Sequence, residues 1–68
     1  MSHTEIKMNN LKTERDKAQL TQKDVAIKVG ISERQYQYYE SNARVPNAIT
    51  AVKIAKALNT TVEALYGK

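Results

Sequence analysis

QKDVAIKVGISERQYQYYE, Gln22 to Glu40, holds two helical patterns separated by a glycine and one further residue. Val25, Ala26 and Val29 share one side of the first pattern, the spacing of a helix with one buried face. Thr21 precedes it as a hydroxyl cap, and Asp24 stands three residues on, as in a capping box. Gly30 then ends the run, since glycine takes the left-handed conformation past a helix without a steric cost. Ser32 with Gln35 fits a second capping box, S-x-x-Q. The spacing predicts one helix over Gln22–Val29 and another over residues 32–41. With only Gly30 and Ile31 between them, the two meet at a steep angle, and Ala26 is small where the second passes over it.

Three of the four tyrosines lie in the second helix. Tyr36 and Tyr39, at i and i+3, are expected to face the core with their hydroxyls at the domain edge. Tyr38 lies about 100° from each neighbour by helix geometry and is expected to point outward.

Working outward, the same reasoning predicts five helices and no strand. A first helix is expected from Ile6 or Met8 to near Ala18, burying Met8, Leu11 and Ala18. Arg44 to Pro46 reads as a loop, because the residue before proline resists helix. Asn47 caps a fourth helix whose apolar set is Ala48, Ala51, Val52, Ile54, Ala55 and Leu58. Asn59 suits a left-handed turn, and Thr61 caps a short fifth helix carrying Val62, Leu65 and Tyr66. The expected fold is an all-α, compact five-helix bundle. Its 68 residues form a single domain, with residues 1–5 as a loose tail.

Composition narrows the function. The chain has no cysteine and one histidine, His3, so a disulfide framework or a cysteine metal site is excluded. No metal site, cofactor or small-molecule ligand is expected. No nucleophile–base constellation or phosphate-cradling glycine loop is visible, which speaks against an enzyme. No apolar run approaches the roughly 18 residues of a membrane span, and no signal-peptide pattern opens the chain, so a cytoplasmic location is expected. Eleven Lys and Arg against seven Asp and Glu give a net charge of +4 and a pI near 9.5. That balance favours a polyanionic partner. From Ser41 to Val62 the charges are Arg44, Lys53 and Lys56, with no acidic residue.

Gln22, Val25, Ala26, Val29, Gly30, Ile31, Tyr36 and Tyr39 together fit the helix-turn-helix pattern, with residues 22–40 as the motif. LKTERDKAQLTQ, the YYE ending, Pro46 and VKIAKALNTTVEALY extend the likeness. From Leu11 to Tyr66 the sequence resembles the phage lambda-repressor/Cro family, also called the XRE family. The resemblance implies a sequence-specific regulator that binds double-stranded DNA, of repressor and of phage or mobile-element type. It also implies a homodimer on a near-palindromic operator.

Carried over by position, the resemblance places Ser32, Glu33, Arg34, Gln37 and Tyr38 on the face of helix three that enters the major groove. Arg34 suits guanine or a phosphate, and Gln37 suits adenine. Tyr38 offers a ring to a thymine methyl or a hydroxyl to a phosphate. Glu33 either accepts from cytosine N4 or holds Arg34; it departs from the Gln, Ser or basic residue frequent there. Gln22, with its neighbour Lys23, falls at the helix-two N-terminus, where free N–H groups favour phosphate. Arg44 is the phosphate candidate of the SNAR loop, where the family often has Asn-Gly-Lys and Asn42 substitutes for glycine. Arg15 and Glu40 stand where the family joins helix one to helix three by an ion pair, a structural role shared with Ala26, Gly30, Tyr36 and Tyr39. Leu65 and Tyr66 are the expected dimer contact.

Each outer-face residue is also compatible with an ordinary solvated helix surface. A second class of function is an antitoxin-like or anti-regulator module that binds a protein through exposed Ile27 and Ile49. RNA is disfavoured, because the A-form major groove is too narrow for a helix.

Overall fold

The computed structural model describes residues 9–67, and among them the only regular secondary structure is α-helix. Five helices follow in order: α1 (Leu11–Lys17), α2 (Gln22–Val29), α3 (Glu33–Glu40), α4 (Ala48–Ala57) and α5 (Val62–Tyr66). Side chains from all five close one core, formed by Leu11, Val25, Ala26, Val29, Tyr36, Tyr39, Ile54, Ala55, Leu58 and Leu65.

Capping fixes the boundaries. Thr21 Oγ1 accepts the Asp24 N–H and Asp24 Oδ2 accepts the Thr21 N–H, both at 3.0 Å, completing the expected box. Gly30 has φ +90°, and the N–H groups of Gly30 and Ile31 both reach the Ala26 carbonyl, at 2.8 and 3.0 Å. Ser32 Oγ accepts the Gln35 N–H at 3.0 Å, but the reciprocal half of the box is missing. Gln35 Nε2 instead donates to Tyr39 Oη at 2.9 Å, one turn along the helix. Asn47 and Thr61 cap α4 and α5 as expected.

The first helix begins later than its apolar spacing implies. Met8, Ile6, His3 and the expected tail over residues 1–5 lie outside the described residues. Asn9 and Asn10 are described and are not helical, because other elements hold them. Asn9 Oδ1 accepts the Leu11 N–H at 3.0 Å, and Asn9 Nδ2 donates to the Tyr39 carbonyl at 3.0 Å and to Asn42 Oδ1 at 2.6 Å. Asn10 donates its N–H to the Leu65 carbonyl at 2.8 Å and its Nδ2 to the Ala64 carbonyl at 3.0 Å.

Three helices end in the same way, with a non-glycine residue in the left-handed region: Gln19 (φ 61°), Asn42 (φ 67°) and Asn59 (φ 58°). In each, the following N–H bonds back five residues: Leu20 to Arg15, Ala43 to Tyr38, and Thr60 to Ala55. This is the Schellman closure. The asparagines were expected in such turns, whereas Gln19 carries no sequence signal for one.

Two apolar expectations fail. Ala48 and Val52 are exposed, because α4 buries only the narrow stripe of Ala51, Ile54 and Ala55, continued by Leu58 at its C-cap. Leu65, expected in a dimer contact, has no exposed surface; it is packed inside the protein's own core and is closed to a second chain. Tyr66 is half-buried.

Candidate nucleic-acid interface

The core side of α3 holds Tyr36 and Tyr39, both buried as expected. Only Tyr39 brings its hydroxyl to a polar partner at the edge, through Gln35. The Tyr36 hydroxyl is enclosed rather than at the edge. Burial and the neighbouring Glu40 carboxylate hold its pKa far above the ordinary phenol value.

Arg15 from α1 and Glu40 at the end of α3 pair as expected, with Arg15 Nε donating to Glu40 Oε2 at 2.6 Å. Arg15 Nη1 also donates to the Leu20 carbonyl at 2.9 Å, so one guanidinium ties α1, the turn before α2, and α3. Burial pushes the Glu40 carboxyl up, but hydrogen bonds from Arg15 and Gln22 outweigh it, and the net shift is below the ordinary value. The Glu40 hydrogen bond correspondingly holds Arg15 above its own.

Gln22, at the first position of α2, is half-buried and already engaged. Its Nε2 donates to Glu40 Oε1 at 2.9 Å and its Oε1 accepts from Gln37 Nε2 at 3.2 Å. Two residues expected to meet DNA separately are therefore joined, across the turn, to the pair that fixes α3. Lys23 is exposed beside Gln22. Asp24 follows it, its carboxyl held below the ordinary value by the Thr21 N–H and hydroxyl and, more weakly, by Lys28 and Lys23.

On the outer face, Ser32, Glu33, Arg34 and Gln37 are exposed. Ser32 accepts a bond from its own helix, leaving its hydroxyl proton free to donate. Glu33 forms no ion pair among the described residues, and Arg34 is held instead by Tyr38, whose Oη accepts from Arg34 Nε at 2.9 Å. Tyr38 points outward but is half-covered. The guanidinium carbons of Arg34 and Arg44 lie 5.7 and 5.5 Å from its ring centroid, within cation–π range. The structure thus gathers the expected residues into two groups, Gln22 with Gln37 and Ser32 with Arg34, Tyr38 and Arg44, and leaves Lys23 and Glu33 outside both. Gln35, read from sequence only as part of a capping box, lines the second group, and its i, i+4 spacing to Tyr39 was the available signal.

Among the described residues no cluster of three or more His, Cys, Asp or Glu could hold a metal ion. No described helix is long and apolar enough to cross a membrane.

A family model described as Helix-turn-helix matches residues 11–65. No curated protein matches the sequence. The match covers most of the chain and contains both capped helices, the left-handed Gly30 between them and the Arg15–Glu40 pair. The chain belongs to the XRE, or lambda-repressor-like, helix-turn-helix family of DNA-binding regulators.

Proposed function

We propose that the protein is a sequence-specific transcriptional regulator of repressor type, from a phage or mobile element, acting in the cytoplasm on double-stranded DNA. In this reading α3 enters the major groove, with Arg34 and Gln37 on base edges. Ser32 and Glu33 sit beside them at the helix start. Gln22, Lys23 and Arg44 meet the phosphates on either side. The observation that carries the reading is the pair of arginines, Arg34 and Arg44, brought to one tyrosine on the outer face of α3. Neither arginine is paired with a carboxylate among the described residues. A second copy on a near-palindromic operator completes the proposal. Because Leu65 is enclosed, that contact falls to Tyr66 or to the side chains α4 leaves exposed, Ile49 and Val52.

The test is selection of duplexes from a random pool, followed by binding at a series of salt concentrations. A near-palindromic site should emerge, with a log–log salt slope of roughly −4 to −8 for a dimer neutralising several phosphates per half-site. A second reading has its own support in Ile27 and Ile49, 68% and 69% exposed, which suit a module that holds a partner protein. No selected site and a slope near zero would leave that reading in place of the first.

A further inference from the structure

Arg34 and Tyr38 lie one turn apart on the same face of α3, and their contact restricts how the arginine can be presented. A guanidinium has five N–H donors. Here Nε–H is taken by Tyr38 Oη at 2.9 Å, so only the Nη1 and Nη2 groups remain to meet a ligand. The outer edge formed by those two nitrogens offers two roughly parallel N–H bonds, the geometry that matches guanine O6 and N7 end-on. A side-on approach would use Nε and is closed while the tyrosine bond holds. Because Tyr38 Oη accepts from Arg34, its own proton stays available to donate. Arg44, from the loop after α3, stacks near the same ring at 5.5 Å. Ser32, Gln35 and these three residues line one cleft of about 230 Å³.

We propose that Tyr38 is a positioning residue rather than a base reader, and that it couples two contacts. Its hydroxyl fixes Arg34 for end-on reading of one guanine, and its ring carries Arg44 to the adjoining phosphate. The electrostatics fit. Two guanidinium groups near one ring repel each other, the negative face of the ring offsets part of that repulsion, and a polyanion relieves the rest. Pre-fixing also reduces the side-chain freedom Arg34 loses on docking. The proposal rests on the DNA reading given above.

Two substitutions separate hydroxyl from ring. Tyr38→Phe keeps the ring, and Tyr38→Leu removes both; circular dichroism confirms the fold of each. Binding is measured by fluorescence anisotropy on the duplex the wild-type protein selects, on its single-base variants, and on an unrelated duplex. Arg34→Ala identifies the base pair in question. Tyr38→Phe should lower discrimination at that base pair about 3- to 10-fold, part of what a bidentate arginine–guanine pair supplies. Its affinity for unrelated duplex and its salt slope should match wild type. Tyr38→Leu should in addition reduce the magnitude of the dimer's salt slope by about two, about one per half-site, as Arg44 loses its platform. Undiminished discrimination in Tyr38→Phe overturns the proposal, as does an equal loss on every sequence, which would make the hydroxyl itself a phosphate contact.

A measurement without DNA stands beside these. The Arg34 Nε–H resonance should exchange slowly with water in the wild type and rapidly in Tyr38→Phe. Equal exchange in both overturns the proposal. A wild-type protein that selects no duplex, yet shows the exchange difference, would sink the DNA reading while leaving the Tyr38–Arg34 contact intact.

Discussion

Arg15 Nε and Glu40 Oε2 lie 2.6 Å apart across the α1–α3 boundary, with the two side chains only 12% and 8% exposed. Desolvating both charges offsets much of their attraction, so the pair is a weak source of net stability. Its effect is positional. Glu40 also takes the Gln22 amide, and Gln22 takes Gln37, so one carboxylate near the core sets the orientation of two side chains on the proposed DNA face.

Stability should fall in acid partly through this carboxylate. A glutamate in the unfolded chain titrates near about 4.3. Glu40 titrates lower in the folded protein. Its contribution is therefore fully present above the unfolded value and is lost as pH falls through the folded one. Glu40→Gln should make the acid limb of a Tm-against-pH curve shallower, with Asp24, also depressed, accounting for some of what remains. Glu40→Ala should cost about 3 kcal/mol at pH 7, because it strands the Arg15 guanidinium. Calorimetric melts between pH 3 and 7 check both outcomes.

The two arginines near Tyr38 should fail differently. Arg34→Ala is expected to cost about 1–3 kcal/mol on the selected site and to relax preference at one base pair per half-site. Arg44→Ala should weaken specific and unrelated duplexes alike and reduce the salt slope. Competition binding with single-base variants distinguishes them. If both weaken every sequence equally, Arg34 is a phosphate contact.

Tyr39→Ala should remove a buried ring and its bond to Gln35, costing about 3 kcal/mol or more. In a domain with only about 5 kcal/mol to lose, much of the population would unfold. Loss of DNA binding should then track the folded fraction measured by far-UV circular dichroism in the same buffer. Binding that falls while the folded fraction holds would place Tyr39 at the interface itself.

Local chemistry made most of the fold legible. Thr21, Ser32, Asn47 and Thr61 cap the helices expected of them, and Val25, Ala26 and Val29 mark the buried face of α2. What escaped depends on contacts distant in sequence. Asn9 and Asn10 leave the helix because α3, Asn42 and α5 supply their partners, and no helical periodicity carries that information. Leu65 has the same apolar character whether it packs inside or against a second copy, so sequence could not separate the two. On the candidate face, the spacing placed Arg34 and Tyr38 on one side of α3, but the approach of Arg44 depends on the path of the loop.

Gln19 offers a stability test. It holds the left-handed position of a Schellman closure at the end of α1, with φ 61°, where a side chain is strained. Gln19→Gly should stabilise by about 0.5–1 kcal/mol, the relieved strain less the added freedom of the unfolded chain. That corresponds to a rise in Tm of roughly 3–6 °C for a domain this small. Gly30→Ala should act oppositely by about 1 kcal/mol. No atom lies within 4 Å of the added Cβ, so the φ of +90° alone supplies the penalty. Paired thermal melts read both signs.

The clasp of Asn10 on α5 bears on the order of events during synthesis. Its amide reaches a carbonyl 54 residues further along the chain. The intervening helices can form and cap themselves locally as they leave the ribosome, but this closure waits until Ala64 and Leu65 have emerged. Until then the Leu65 side of the core stands open to solvent. A nascent chain stalled before that point should be protease-sensitive, and one stalled a ribosome tunnel's length beyond it should be resistant.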